Sequence, residues 1–375
     1  MAHVERILIV GGGIAGLTLA TALHRHGFTA EIIEHSPSWQ TVGAGIAVQP
    51  NGIRILRALG MGAALKQAGT VIRHWDFCDH QGEVLCETDL EGLWRDVGPF
   101  IGIERTKLQQ VLLAGAVAVP SRLGTSVTAL TQDERRISVE FSDGSVDNYD
   151  LVVGADGIAS TVRKLTLSVA LPVYAGQMTW RSVAPIRPQG LTKLQFLLGE
   201  GCFFGLCPVG NGRAYGFGNV TEPRFHDVVQ GRLERLRERF AAFGRIVQEY
   251  LAALESDEQI HCSAIEWVEQ AEWHAGRVVL IGDAAHASSP MMGQGGCLAM
   301  EDAYVLAEVL RSATSVETTL AAYVSRRTPR VQWVWQESRA VAERFGLPLA
   351  TRNAALRARG DQMMQERYRP LIPAP

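Results

Sequence analysis

The stretch from Glu5 to Glu34 constrains the fold of this chain more than any other. Residues 6–10 form a short apolar run rich in β-branched side chains, which is typical of a buried parallel strand. A turn of sequence Gly-Gly-Gly-Ile-Ala-Gly follows at positions 11–16 and contains one complete G-x-G-x-x-G. Residues 17–26 have apolar side chains at helical spacing, and a second apolar strand then ends on Glu34. These elements predict a βαβ unit with its acid placed as a dinucleotide fingerprint requires.

Each part of this unit has a physical role. Gly11 permits a tight turn, Gly13 lets the backbone approach a pyrophosphate, and Gly16 allows the helix to pack closely on the strand. The N–H groups at the start of the helix are expected to face the phosphates, where the helix dipole favours negative charge. Glu34 is expected to accept hydrogen bonds from ribose hydroxyls. A glycine motif alone leaves an ordinary turn as the alternative, but the complete unit predicts dinucleotide binding.

Composition excludes several classes of protein. A chain of 375 residues is too long for one compact core and predicts two domains. The formal net charge of −3 provides no basic surface for nucleic acid, and no apolar run reaches the length of a membrane span. Because the N-terminus leads directly into the first strand, we expect no signal peptide. The six cysteines lack C-x-x-C and zinc spacings, so we expect a reducing cytoplasm and no bound metal. We also expect a monomer or homodimer.

Three further stretches in the first half carry candidate site residues. Small residues are dense at positions 43–52, which suits close approach of backbone to a flat ligand, or an ordinary loop. Arg105 opens a predicted helix, either as a solvated residue or as a cofactor contact. A strand at 150–153 places Asp156 at its carboxyl end, where ligands bind in open α/β sheets. Asp143 and the glycine after it predict a hairpin turn leading into that strand.

The second half contains an insertion and another glycine-rich signature. From about residue 172 to 263, short strands separated by glycine or proline turns precede one long amphipathic segment, residues 228–254. This order predicts an antiparallel α+β unit inserted into the α/β domain. An apolar strand, residues 277–281, then leads into Gly282-Asp283, a Pro-Met-Met-Gly-Gln-Gly-Gly loop at 290–296, and a helix.

Three motifs together resemble the single-component FAD-dependent aromatic hydroxylases, the p-hydroxybenzoate hydroxylase-like family. They are the N-terminal glycine motif with Glu34, the Gly-Ala-Asp-Gly segment at 154–157, and Gly282-Asp283 with the 290–296 loop. The resemblance extends over residues 6–338. In length and motifs the chain is similar to the shorter members that act on salicylate-, hydroxybenzoate-, hydroxynicotinate- or urate-like rings.

The resemblance implies non-covalent FAD with NAD(P)H as co-substrate. In that family, the residues matching Glu34 and Arg105 contact the FAD adenosine and diphosphate, and the residue matching Asp283 holds the ribityl chain. The 290–296 loop would cup the isoalloxazine, and the residue matching Asp156 lies near the pyrophosphate and is implicated in NAD(P)H use. The residues expected at the cofactor are Gly11, Gly13, Ile14, Ala15, Gly16, Glu34, His35, Gly45, Arg105, Val127, Asp156, Asp283, Pro290, Gly293, Gly295, Gly296 and Cys297.

The activity implied by the resemblance is hydroxylation of an aromatic or heteroaromatic small molecule. NAD(P)H would reduce FAD, O2 would add to the flavin, and the C4a-hydroperoxide would deliver oxygen to the ring. The alternatives are a FAD monooxygenase acting on an olefin, polyketide or antibiotic, and a non-catalytic redox-sensing flavoprotein. Arg181 and Tyr215 are the candidates for contacting substrate, although Arg181 could equally brace a turn.

The sequence therefore predicts an α/β fold with a Rossmann-like FAD-binding domain, an inserted antiparallel α+β substrate domain and C-terminal helices. The predicted boundaries are 1–75, 101–171 and 264–345 for the FAD-binding domain, 76–100 and 172–263 for the substrate domain, and 346–375 for a C-terminal tail.

Overall fold

The structure, a computed structural model, describes residues 4–39, 44–167, 170–270, 272–312 and 315–375. These residues form nineteen strands and twelve α-helices. The strands are β1 (Arg6–Val10), β2 (Thr29–Glu34), β3 (Gly45–Val48), β4 (Thr70–Ile72), β5 (His74–Asp79), β6 (Val84–Asp89), β7 (Phe100–Glu104), β8 (Ser121–Leu123), β9 (Val127–Gln132), β10 (Ile137–Phe141), β11 (Val146–Tyr149), β12 (Leu151–Gly154), β13 (Val173–Ala184), β14 (Leu194–Leu198), β15 (Cys202–Pro208), β16 (Ala214–Thr221), β17 (His261–Trp267), β18 (His274–Ala275) and β19 (Val278–Leu280). The helices are α1 (Ile14–Arg25), α2 (Pro50–Ala58), α3 (Gly62–Ala68), α4 (Leu90–Leu93), α5 (Arg105–Gly115), α6 (Thr161–Thr166), α7 (Arg232–Arg239), α8 (Arg245–Ala252), α9 (Asp283–His286), α10 (Gly295–Arg311), α11 (Val316–Phe345) and α12 (Leu349–Tyr368).

A six-stranded sheet in the order β18-β19-β12-β1-β2-β8 forms the first of two large layers. Its pairs are parallel except for the antiparallel contact of β18 with β19. The strands β1, β12 and β19 are buried along almost their whole length, as strands covered on both faces are. Helices α1 and α10, which follow the two glycine-rich turns, pack against each other. The predicted α/β class is confirmed.

A seven-stranded sheet in the order β17-β13-β16-β15-β14-β5-β6 forms the second layer. Its pairs are antiparallel except for β14 with β5. Helices α7 and α8 cover one face, where Phe240 and Tyr250 pack on Phe204 with ring centroids 4.9 and 5.6 Å away. Because successive residues of a strand point to opposite faces, the other face of this sheet carries the intervening side chains of the same strands. We propose that the two large sheets are the cores of the two domains, with the boundaries given above.

A small sheet in the order β3-β7-β4 joins the two layers. β3 contacts β13 and β16 of the seven-stranded sheet, and β7 contacts β15. The segment of small residues at 44–48 therefore lies directly against the inserted unit. No helix within the described ranges is long and apolar enough to cross a membrane.

Three predictions about elements are corrected by the structure. The segment 228–254 is two helices, because Gly244 lies against the backbone of Gln81 and donates its N–H to His80 (2.8 Å). The hairpin turn at Asp143 joins β10 to β11, while the following strand β12 enters the parallel sheet instead.

The third correction concerns residues 346–375, predicted as a tail. Most of this segment is the twenty-residue helix α12, which packs on β6. Gly360 makes the approach close, because a side chain there would collide with Cys86. The helix is rich in Ala, Arg, Gln and Met, which favour helices, but it lacks the apolar spacing by which the other helices were predicted.

Candidate functional site

The first glycine turn is shaped by close backbone contacts. Gly11 has a φ of +109°, and a side chain on it would collide with the carbonyl of Ala155 at the end of β12. Gly16 lies against the carbonyl of Gly11, so helix α1 can start there only without a side chain. A Cβ on Gly13, in contrast, would meet no atom within 4 Å. The turn is therefore tight on its protein side and open where a pyrophosphate would lie.

Glu34 closes the same turn from the end of β2. Its carboxylate accepts hydrogen bonds from the N–H groups of Gly12 (2.8 Å) and Ser36 (2.9 Å). His35 Nδ1 lies 2.7 Å from the same carboxylate, although the His35 side chain itself is 81% exposed. Trp39 packs over Gly12 beside this carboxylate. The acid is thus held in position at the edge of the turn.

The second signature places an acid at the bottom of a cleft. Asp283 begins α9 directly after Gly282, whose φ is +59°. The Asp283 side chain is reached by solvent, yet burial raises its pKa, with opposing effects from His286 and Arg105. Arg105 is likewise exposed, while burial and then Arg181 lower its pKa. Groups that are both accessible and poorly solvated lie in a deep, open cleft.

The two signatures meet around this cleft. A Cβ on Gly282 would lie 3.2 Å from the Cβ of Ala15 in helix α1. At the start of α10, a Cβ on Gly296 would lie 3.5 Å from Ile14, and one on Gly295 would lie 3.7 Å from the Asp283 carboxylate. The structure therefore brings together segments that are more than two hundred residues apart in sequence.

A fully buried ion cluster fixes the second signature from behind. Asp302 in α10 accepts hydrogen bonds from the Gly282 N–H (2.8 Å) and from Arg327 Nε (2.7 Å), and its Oδ2 lies 2.6 Å from His286 Nε2. Arg327 also donates to Glu301 (2.8 Å). Burial alone would raise the pKa of Asp302, but His286 and Arg327 lower it to about 2. Asp302 is therefore an ion that holds the Gly282 turn on helix α10.

A chain of buried amides fixes the 290–294 part of the loop. Asn51 donates to both Glu301 (3.0 Å) and Gln294 (2.9 Å), and Gln294 donates to Gln49 (2.7 Å). Gln49 in turn donates to the carbonyl of Met292 (2.7 Å). The loop backbone is thus connected to the ion cluster through side chains that precede and begin helix α2.

The inserted sheet faces the cleft with Tyr215, whose ring covers Gly45 so closely that any side chain at Gly45 would overlap it. Burial raises the pKa of Tyr215 to about 12, so the phenol is neutral at physiological pH. Arg181 and Arg105 both oppose that shift, which places their charges near the phenol. The Tyr215 hydroxyl has no hydrogen-bond partner within the part of the chain that the structure describes.

Arg181 is partly engaged. Its Nη2 donates to Ser263 (2.6 Å) on the neighbouring strand, while its buried Nε has no partner among the described residues. Burial and the charge of Arg181 lower the pKa of His261, which is paired with Arg181 across β13 and β17. This side chain therefore braces the sheet through Ser263 and also keeps one buried donor without a partner among the described residues.

Four residues expected at the cofactor have side chains engaged elsewhere. Asp156 accepts from Ser160 (2.5 Å) and from two N–H groups at the start of α6, which makes it a helix cap. Val127 is buried at the start of β9, and Cys297 packs against Gly52. His35 contacts Glu34 from the solvent side.

Several residues that position the glycine-rich loops were not predicted from the sequence. Asp302 and Arg327 lie inside helices where they read as ordinary polar positions. Gln49 and Asn51 belong to the segment of small residues, but the amide chain they start requires the fold to be seen. The signal that could have indicated Asp302 and Arg327 is the presence of an acid and an arginine on helix faces that were predicted to be buried.

Comparisons with known proteins agree with this geometry. The family described as "FAD binding domain" matches residues 5–338. The chain is 35% identical over 328 residues to an aurachin C monooxygenase/isomerase of Stigmatella aurantiaca, covering 86% of this chain and 85% of that protein. It is 32% identical over 336 residues to a FAD-dependent urate hydroxylase of Klebsiella pneumoniae, covering 87% of each. The crystal structure of Klebsiella pneumoniae HpxO with FAD and uric acid superposes with a TM-score of 0.92 at 28% identity, covering 99% of this chain and 97% of that one.

The fold and the site define a flavoprotein oxidoreductase, and the chain belongs to the FAD-binding family of single-component FAD-dependent monooxygenases. The residues that line the cleft fit FAD. It has open space at Gly13, an acid held at the end of β2, an accessible acid at Asp283, and a helix start free of side chains at Gly295. Glu34 would hold the ribose, Arg105 the diphosphate and Asp283 the ribityl chain.

Gly13→Val should abolish FAD binding without unfolding the protein. The valine would point into the space needed by the pyrophosphate, while meeting no protein atom within 4 Å at its Cβ. The measurement is the ratio of visible flavin absorbance to protein after purification. The thermal midpoint of the variant, compared with that of parent apoprotein, provides the folding control. A folded variant that keeps a full complement of flavin would contradict the assignment.

Asp302→Asn should destabilise the protein by about 3–5 kcal/mol, because it leaves the buried Arg327 with one fewer counter-charge. The matched control is Asp147→Asn, which breaks a half-exposed pair with Arg6 and should cost less than about 1 kcal/mol. Urea unfolding of the apoproteins measures both.

The pH dependence gives an independent check on Asp302. Its pKa is depressed from an ordinary 3.8 to about 2 in the folded protein, so its stabilisation is present above pH 3.8. This contribution should be lost as the pH falls toward 2, and the difference in stability between parent and Asp302→Asn should shrink over that range. A constant difference would show that Asp302 is not the titrating group.

Gly295→Asp should lower the reduction potential of bound flavin. The helix start offers unpaired N–H groups and a positive dipole end to a reduced, anionic flavin, and a carboxylate there opposes both. The isosteric control is Gly295→Asn. We expect the Asp variant to lie about 10–40 mV below the Asn variant, which corresponds to about 0.5–2 kcal/mol for two electrons. Equal potentials in dye-coupled titrations would mean that this helix start does not face the flavin ring.

Proposed function

We propose that the protein is an NAD(P)H- and O2-dependent monooxygenase that hydroxylates an aromatic or heteroaromatic small molecule. The overall reaction takes one ring, one O2, one NAD(P)H and one proton, and gives the hydroxylated ring, water and NAD(P)+. The names of the relatives support this reaction type, since one is a urate hydroxylase and another acts on aurachin C. When bound, the flavin supplies the hydride acceptor and the activation of dioxygen.

The observation that carries the proposal is the placement of Tyr215. Its ring lies on Gly45 at the wall of the cofactor cleft, and its hydroxyl has no partner within the described residues. A neutral phenol both stacks on a flat ring and donates to, or accepts from, a polar substituent of that ring. A free hydroxyl between the cofactor cleft and an aromatic sheet face is suited to orienting an aromatic substrate.

Arg181 complements Tyr215. Its charge near the phenol would attract a ring that carries a phenolate, carboxylate or acceptor nitrogen. The excess of cationic groups, with Arg105 also in the cleft, favours an anionic or strongly polar substrate head.

The location and co-substrates belong to the same proposal. The six cysteines are all free, which supports a reducing compartment such as the cytoplasm. NAD(P)H is expected to bind transiently at the cleft, and the protein to act as a monomer or homodimer.

The direct test is substrate-stimulated oxidation of NADH and NADPH by the FAD-loaded enzyme. A panel of hydroxylated benzoates, pyridines, purines and quinolones supplies the rings, and isotopically labelled dioxygen identifies the product. We expect at least one ring to accelerate NAD(P)H oxidation and to gain one labelled oxygen atom. If olefins or polyketides become labelled instead, the monooxygenase is of the alternative type. NAD(P)H oxidation that no molecule stimulates would favour a redox-sensing flavoprotein.

Tyr215→Phe should raise the substrate KM or Kd roughly three- to tenfold, the effect of one lost hydrogen bond, and lower the fraction of NAD(P)H coupled to product. The matched control is Tyr174→Phe on β13, which removes a hydroxyl bonded to the Glu222 carbonyl (2.6 Å) outside the cleft. FAD affinity should be unchanged in both. Arg181→Met tests the second contact in the same assay, and unchanged KM and coupling in both cleft variants would exclude both side chains from the substrate.

A further inference from the structure

The cleft-facing side of the seven-stranded sheet is polar at one end and aromatic toward the other. The strand register places Arg181, Phe217, Gly205, Phe196 and Phe77 side by side across five neighbouring strands. The polar end of this row carries Arg181, and the three phenylalanines form what we call the aromatic row. Gly205 leaves the space that the Phe217 ring occupies.

The aromatic row is continuous. The ring centroids of Phe217 and Phe196 are 5.3 Å apart, and those of Phe196 and Phe77 are 5.5 Å apart, both edge-on. The centroids of the two end rings, Phe217 and Phe77, are therefore at most about 11 Å apart. Phe196 and Phe217 are only partly buried and pack against the main hydrophobic core, whereas Phe77 is buried. Large apolar side chains left accessible between two layers form a surface for an apolar ligand.

The row ends at a cavity formed by the end of α11 and by α12, which we call the C-terminal cavity. Its volume is about 70 Å³, room for roughly five water-sized groups at about 10–15 Å³ each. Phe77 and Phe345 form its inner wall, and Leu356, Met363 and Met364 line the helix side. Phe345 also contacts Phe203, which stacks on Phe196 at 5.4 Å. The cavity and the aromatic row therefore share their walls.

The surface facing the cavity is almost wholly carbon, although three arginines contribute to it. Arg352 donates to the carbonyls of Gly199 (2.8 Å) and Leu198 (3.1 Å). Arg344 and Arg367 lie 3.9 and 3.5 Å from Glu337. The Nε of Arg367 has no hydrogen-bond partner among the described residues, and its Nη1 donates to the sulfur of Met364 (3.3 Å). The long apolar stems of arginines can cover a carbon surface of this kind. The chemistry of the site therefore suits an uncharged hydrocarbon chain.

We propose that the substrate is a polar ring bearing an apolar chain, with the ring at Tyr215 and Arg181, the chain along the aromatic row, and the chain end in the C-terminal cavity. The inference rests on the proposed function for the position of the ring. Because its 1.5 Å bonds zigzag, an extended hydrocarbon chain advances about 1.3 Å per carbon, so roughly nine carbon atoms span the row. The flexible thioethers of Met363 and Met364 would adapt to the chain end.

The test uses the FAD-loaded enzyme and alkyl esters of 4-hydroxybenzoate from methyl to decyl, which keep one phenolic ring and vary only the chain. Binding is followed through the change in flavin absorbance or fluorescence, so that turnover is not required. We expect the decyl ester to bind at least roughly tenfold more tightly than the butyl ester, since each buried methylene contributes up to about fourfold.

Two tryptophan variants on α12 test whether the gain in affinity depends on the cavity or only on the hydrophobicity of the ester. Ala355 lines the cavity, whereas the adjacent Ala354 does not, and both are exposed, so each replacement should leave the fold intact. Ala355→Trp should fill the cavity and remove the gain in affinity with chain length, leaving methyl ester binding unchanged. Ala354→Trp should behave as the parent. Should Ala355→Trp prove unstable by thermal melting, Leu356→Phe fills the same space.

The outcomes distinguish this inference from the proposed function. A chain-length gain that persists in Ala355→Trp and Leu356→Phe overturns the inference, as does long-chain binding that neither perturbs the flavin nor competes with the methyl ester. Equal affinity of all esters for the parent also overturns it. If the gain depends on the cavity but no ring is ever hydroxylated, the chain site stands and the proposed function fails.

Discussion

The buried carboxylate of Asp302 is the constraint on which the rest of the site depends. It accepts the N–H of Gly282, contacts His286 and pairs with Arg327, whose guanidinium also donates to Glu301. Removing a group from such a cluster leaves an uncompensated buried charge, so the cluster forms completely or the region does not fold. Because Arg327 belongs to α11 and Gly282 follows β19, one ion determines how the C-terminal helices lie on the parallel sheet. The position of Asp283, one residue after Gly282, follows from it.

The same cluster connects the cofactor cleft to the inserted sheet. Glu301, next to Asp302, holds Asn51, and the amide chain from Asn51 fixes the loop that ends at Gly295. Gln49 and Asn51 follow β3, the strand that lies beneath Tyr215. Cofactor loop, linking sheet and substrate wall are thereby positioned through hydrogen bonds rather than through apolar packing alone. Hydrogen bonds are directional, which suits a site whose parts must hold a flat ring in one orientation.

Much of the cofactor half could be predicted from sequence, because it is made by backbone. Gly11, Gly16 and Gly282 lie where a side chain would collide with neighbouring atoms or where φ is positive. Only glycine satisfies these backbone requirements, so they are visible in the sequence as short glycine motifs. The strand-turn-helix order around both signatures followed from the same local signals. The break at Gly244 and the helix α12 did not, because each depends on a tertiary contact, with Gln81 in one case and with β6 in the other. Asp156 shows how one residue type can serve two roles, since an acid after a strand can also accept hydrogen bonds from the N–H groups at the start of a helix, as it does here at α6.

The arrangement of the residues of the seven-stranded sheet that face the cleft could not be predicted from the sequence, for a different reason. The proposed substrate wall is assembled from single residues of five strands, so that Arg181 and Phe77 belong to one row while they are 104 positions apart in sequence. No spacing rule connects them, and each strand taken alone shows only alternation between a covered and an accessible face. A wall built in this way can change one side chain at a time without disturbing the glycines or the ion cluster that hold the cofactor. One cofactor cleft can therefore be combined with many substrate walls, which agrees with relatives that are named for different compounds, urate in one case and aurachin C in another.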